Sequence, residues 1–233
     1  MITNLYEDYL TLHHKVLFHN MTNDVNETLN GIRQLMEESR KVMFLDGSAG
    51  ILISIWAAAG VMAASYLIGG SVLPAFFVEP CTAADWESDI SLPALGAVAI
   101  LTFTAAFATI WLMTSRRAAR LGYAPTLNGP VGNLLKHFFA VMMAGGLVCL
   151  TTIVNGTVIL VPGLMLVFYG IALMAISPIA FRYSITKYLG YAQVAVGIVA
   201  LCLPEYGLSF WFIGFCLLHL FWGLWFRFSF DRK

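Results

Sequence analysis

Acid–base and metal chemistry draws on His, Cys, Asp and Glu, and the spacing of these residues here favours neither. Three of the five histidines lie close together, at 13, 14 and 19. Neither the 13/14 nor the 14/19 separation is the i, i+3 or i+4 that puts two ligands on one helix face, so the cluster does not read as a metal site. His137 and His219 sit in apolar runs near basic loops, where an interfacial position and hydration account for both. Of the cysteines at 81, 149, 202 and 216, none forms a C-x-x-C pair, and the last three lie in apolar runs where a thiol behaves as a small hydrophobe. H-E-x-x-H, G-x-S-x-G and G-x-x-x-x-G-K-[ST] are absent, and no serine pairs with a histidine at catalytic spacing. The expectation is a protein that is not an enzyme, with no catalytic, cofactor-binding or metal-binding set.

The elements that carry these residues are set by hydropathy. The 233 residues are 59% apolar and 11% charged, with a mean hydropathy of +0.79. That leaves too little polar surface to coat a water-soluble globule, so the solvent is membrane lipid. Formal net charge is zero, which gives no field to attract nucleic acid. A helix needs roughly 20 apolar residues to cross the ~30 Å hydrocarbon core. Six stretches approach that length, near 48–70, 92–113, 134–154, 157–178, 189–203 and 207–226, the fifth cut short by Pro204 and Glu205.

The charges orient these spans. Twelve of the thirteen Lys and Arg fall before the first span, in the second and fourth connections, or at the C-terminus, and Lys136 stands just inside the third span beside the second connection, whereas the first, third and fifth connections hold Glu79, Asp85, Glu87, Asp89 and Glu205 and no base. Under the positive-inside rule both termini are cytoplasmic. Tyr123, Tyr183, Tyr188, Trp222, Trp225 and Phe228 form an aromatic belt on that side, and Phe76, Phe77, Trp86 and Tyr206 one on the other. The predicted fold is all-α: an integral membrane six-helix bundle (47–228) preceded by a cytoplasmic amphipathic helical segment (1–46) and followed by a short tail (229–233).

Within residues 1–46, Leu5, Tyr9, Leu12 and Val16 make one helical stripe. Asp24 and Glu27 have capping-box spacing ahead of a second stripe that includes Leu29, Ile32 and Met36. Seven acids against four bases make this segment a poor match for anionic lipid, so Leu29, Ile32 and Met36 form a candidate assembly face for the protein's own cytoplasmic side or a second copy, with a cytoplasmic protein partner as the alternative. In the spans, small residues such as Gly50, Ser54, Ala57, Gly60, Ala64, Gly145 and Gly146 read as helix contacts. The spans contain no Asp or Glu, and their interior polar residues, among them Thr102, Thr109, Thr151, Asn155 and Gln193, are uncharged. Coupled ion transport therefore lacks its usual carboxylate. Gly146–Leu150 is similar to Gly197–Leu201, and Phe168–Leu173 to Phe212–Leu217, in an order that a parallel repeat of the last two hairpins would give.

Several stretches taken together carry a resemblance: Ile32–Arg40, Leu45–Gly50, Leu166–Leu173, Tyr188–Tyr191, Leu203–Leu208, Phe210–Phe215 and Leu218–Leu220. In this order they resemble an uncharacterised family of small six-helix inner-membrane proteins of Bacteroidetes-type bacteria, over about residues 30 to 228. The resemblance implies a bacterial inner-membrane location and no particular activity. The chain departs from the family's pattern in its second cytoplasmic loop, which is rich in turn formers from Pro125 to Gly132. The functional expectation is a non-enzymatic membrane protein that assembles with itself or binds a regulatory partner through its cytoplasmic helices. The alternative is a channel or facilitator for an uncharged or weakly polar solute, lined by Thr102, Thr109, Thr151 and Asn155.

Overall fold

The structure, a computed structural model, describes residues 28–30, 47–69, 92–120, 130–177 and 184–230. These residues are helical throughout, apart from tight turns, and contain no strand. The elements are α1 (Gly47–Gly69), α2 (Leu92–Arg120), α3 (Pro130–Val154), α4 (Val161–Ile176) and α5 (Ser184–Cys202), then a sixth rod. That rod joins α6 (Gly207–Phe212), a π-helical stretch (Ile213–Leu218) and α7 (His219–Phe230). Two compact units divide the chain at Lys41 and Val42, and every span belongs to the second. Of the first unit only residues 28–30 are described, one helical turn with Leu29 exposed. The remainder of the predicted amphipathic segment, Ile32 and Met36 included, lies outside the described residues.

Five segments are long and apolar enough to cross a bilayer: Ser48–Ile68, Leu92–Met113, Leu135–Val154, Val158–Ile176 and Pro204–Phe228. Helix α5 starts earlier than its hydropathy predicts and runs for 19 residues. At ~1.5 Å per residue that is about 28 Å, close to the thickness of the hydrocarbon core. The described residues thus form an all-α membrane bundle of six rods. Hydroxyls on its lipid-exposed helices are satisfied within their own helix, because lipid offers no partner. Thr104 donates to Ile100 O at 2.7 Å, Thr109 to Ala105 O at 2.7 Å, and Thr151 and Thr152 to Val148 O at 2.8 and 2.7 Å.

Helix α3 ends in a Schellman turn. The amide of Thr157 donates to Thr152 O and that of Gly156 to Ile153 O, each at 3.0 Å. Gly156 takes φ +74°, the left-handed position where a Cβ is unfavourable. A single 3-10 turn (Val158–Leu160) then delivers Pro162 into the first turn of α4, where its missing N–H leaves no bond unmade.

Helix α1 packs along α2 and along α7, while α4 packs against α3, α5 and the sixth rod. Closest approach occurs between α4 and α5. A Cβ on Gly170 would lie 2.7 Å from Gly190 O, and one on Gly190 would lie 2.8 Å from Gly170 O. Near the other end of the same seam, a Cβ on Gly197 would meet Val167 N at 2.8 Å and Gly163 O at 3.0 Å. The pairs Gly163/Gly170 and Gly190/Gly197 share a spacing of seven, so an antiparallel arrangement brings Gly163 beside Gly197 and Gly170 beside Gly190. Among the small residues singled out in the sequence, Gly50 faces Trp222 and Gly223, Gly60 faces Thr102, and Gly145 faces Phe168, whereas Gly146 faces open space. Of the glycines matched by the candidate repeat, Gly170 and Gly214 both lie against α5, but Gly146 and Gly197 share no such role.

Candidate functional site

The sixth rod changes pitch where it meets α5. Its π-helical stretch brings the carbonyl of Gly214 under the side chain of His219, whose Nδ1 lies 3.1 Å from Gly214 O. Gln193, the middle residue of α5, donates from Nε2 to the same carbonyl at 3.0 Å. On the far side of the imidazole, Nε2 lies 2.9 Å from the hydroxyl of Tyr169 on α4. His219 is 1% exposed and Gln193 0%. The sequence-based expectation that His219 is hydrated is therefore corrected: its side chain is enclosed between the sixth rod, α4 and α5. π-Helical turns in membrane and soluble proteins alike concentrate at functional sites.

Chemistry assigns the protons. A carbonyl oxygen only accepts, so Nδ1 of His219 carries a hydrogen and donates it to Gly214 O. Nε2 is then the acceptor, and Tyr169 donates its O–H to it. Gln193 Nε2 lies 3.5 Å from Nδ1, too far and too poorly suited to compete, since both nitrogens are donors aimed at one carbonyl. The neutral imidazole is thus fully bonded. The opposite amide atom, Gln193 Oε1, has no partner among the described residues. It lies 2.5 Å from where a Cβ on Gly214 would be, so glycine at 214 is what lets the amide reach the carbonyl.

Tyr169 also belongs to a run of aromatic rings that crosses four rods. Phe107 meets Phe139 edge-on at 5.4 Å between centroids, Phe139 meets Phe138 at 5.7 Å, and Phe138 meets Tyr169 at 6.1 Å. Tyr169 then contacts Phe215 at 5.0 Å, and Phe215 contacts Trp211 at 4.6 Å. All of these rings except Phe139 border a cleft of about 660 Å³ between α1, α2, α3, α4 and the sixth rod. Helix α2 packs along α1 and touches α3 through the rings of Phe107 and Phe139. Among the described residues no charged one lines the cleft, and only Thr102, Cys149, Tyr169 and Trp211 bring a side-chain group able to donate a hydrogen bond.

Thr102 is one of these lining residues and lies against Gly60. Thr109, seven residues further along α2, accepts a hydrogen bond from Trp56 Nε1 at 3.1 Å and so ties α2 to α1. Thr151 and Asn155 are exposed at the far end of α3, and Asn155 stands in the tight turn. Thr109, Thr151 and Asn155 are not among the residues lining the cleft. Of the assembly face, Leu29 is 53% exposed. Trp222, assigned from sequence to the interfacial belt, is instead buried against Gly50 with Leu173, Ile176, Leu189 and Phe226 around it. His137 is exposed on α3, and among the described residues no three of His, Cys, Asp and Glu gather as metal ligands would.

Sequence reasoning passed over Tyr169 and took Gln193 as one polar position among many. The available signal was depth: an amide and a phenol near the middle of apolar spans need a partner there, and His219 is the residue that can serve both. Fold and site together define a polytopic α-helical membrane protein with a buried polar network beside an apolar cleft. The chain matches no protein-family model, no curated protein and no solved structure.

Proposed function

We propose that this protein binds an uncharged, apolar molecule that enters its cleft sideways from the bilayer. The observation that carries this reading is the cleft: its volume lies within the range of small-molecule sites, and its walls are hydrocarbon and aromatic with few polar groups. Water gains little in such a space, while a lipid-soluble molecule gains dispersion contacts along the whole lining. A photoreactive diazirine hydrocarbon, incorporated with the purified protein into liposomes and activated by light, tests it. Label is expected on Met142, Met165 and Phe168 in excess of Leu101 and Leu147, and Gly146→Trp, which projects a ring into open space bordering the cleft, should cut cleft labelling about ten-fold. Equal labelling of the cleft and the exposed residues would overturn the reading.

The same proposal places the protein in a bacterial inner membrane, as the family resemblance implies, with both termini cytoplasmic, an orientation supported by the distribution of its thirteen basic residues. Reporter fusions check this: a tag after Lys233 should report from the cytoplasm and one near Asp85 from outside, and the reverse result for either rejects the topology. Self-assembly through Leu29, Ile32 and Met36 is compatible with a ligand in the cleft and would place the partner at a separate surface.

A further inference from the structure

We propose that the ligand of the cleft is a ring-bearing lipid with a hydroxyl group, of the isoprenoid quinol class, and that Tyr169 recognises that hydroxyl. This rests on the reading of the cleft as an apolar binding site and adds its polar anchor. Tyr169 both lines the cleft and stands at the end of the hydrogen-bonded chain through His219 to Gly214. Along that chain every proton points inward: Tyr169 O–H to His219 Nε2, and His219 Nδ1–H to Gly214 O. The phenol has therefore used its only hydrogen, and its oxygen keeps a lone pair that no donor among the described residues fills. What completes the chain is a donor.

A ligand carbonyl fits this arrangement poorly. To donate to a carbonyl, Tyr169 would have to release Nε2 of His219, and the imidazole would have to move its proton from Nδ1 to Nε2. Nδ1 would then turn a lone pair toward Gly214 O at 3.1 Å, two acceptors face to face. Gln193 could relieve this only with the second N–H of its amide across the longer 3.5 Å contact, its 3.0 Å bond staying on Gly214 O. The buried network thus leaves Tyr169, a residue of the cleft wall, able to accept but not to donate. The rings of Phe138 and Phe215, at 6.1 and 5.0 Å from that of Tyr169, give the ligand's ring apolar edges to lie against.

Three probes that share a decyl chain separate the ideas: decylquinol, decylquinone and decylbenzene, each titrated as competitor of diazirine labelling of the full chain in liposomes under anaerobic conditions. Decylquinol is expected to bind about five-fold more tightly than decylquinone, the increment of one neutral hydrogen bond. Tyr169→Phe, which keeps the ring, should remove that preference and leave decylbenzene unchanged. Equal binding of quinol and quinone to the unaltered protein, or a preference that survives Tyr169→Phe, overturns the hydroxyl anchor while leaving the cleft as an apolar site. Failure of all three probes to compete overturns the cleft reading itself.

Discussion

Gly190→Leu should leave almost no folded, monodisperse protein after extraction, and Gly190→Ala should already lower thermal stability measurably. The reason is the distance between two backbones. At position 190 the first side-chain carbon would stand 2.8 Å from both Gly170 O and Met174 Cγ and 3.2 Å from Met174 N, and a peptide carbonyl cannot step aside as a flexible side chain can. An added methyl in so tight a contact costs about 1–3 kcal/mol, and the three further carbons of leucine force α4 and α5 apart along their length. Lipid does not offset the loss, since helices in a bilayer are held by close packing and gain little from hydrophobic exclusion. Gly146→Ala is the control. Its Cβ meets nothing within 4 Å, so helix propensity should make it neutral or more stable by up to about 1 kcal/mol. Size-exclusion profiles and melting temperatures in detergent decide the matter: a Gly190→Leu protein that elutes and melts like the parent would show that the α4–α5 seam is not as close as described.

His219→Leu should destabilise the protein by about 1–3 kcal/mol, and Gln193→Leu by less than about 1 kcal/mol. Both replacements keep volume roughly constant and both remove a polar side chain from the centre of the bundle, so burial alone predicts similar effects. The hydrogen bonds predict different ones. Without His219, the Tyr169 hydroxyl loses its acceptor at 2.9 Å in a place where water is scarce. Without Gln193, Gly214 O still accepts from His219 Nδ1 at 3.1 Å, and the unpartnered Oε1 disappears along with its desolvation cost. Single interhelical bonds in membranes contribute on average only about 0.6 kcal/mol, so the penalty for a stranded group outweighs the bond lost. Unfolding of the purified variants in mixed micelles measures the order of the two. A larger loss for Gln193→Leu than for His219→Leu would reject the proton assignment on which the site rests.

The sequence by itself determined the membrane class and the places of the rods. Hydropathy acts locally, residue by residue along a helix, and five spans begin and end close to where it puts them. It undershot at α5, because the polar and aromatic residues Ser184 to Tyr188 lower hydropathy without interrupting helical hydrogen bonding. It was blind to which faces meet. The spacing of seven in Gly163/Gly170 and Gly190/Gly197 is written in the chain, but it becomes a seam only when two antiparallel rods bring the pairs into register. Trp222 and His219 show the same gap: each has the composition of an interfacial residue and each is buried, because α1 covers Trp222 through Gly50 and the turn of the π-helix sends His219 inward. A polar group in lipid is stable only where its partner is, and that partner lies 21 or 50 residues away in sequence. Tertiary structure alone decided that Tyr169, Gln193 and His219 meet and that a cleft opens beside them.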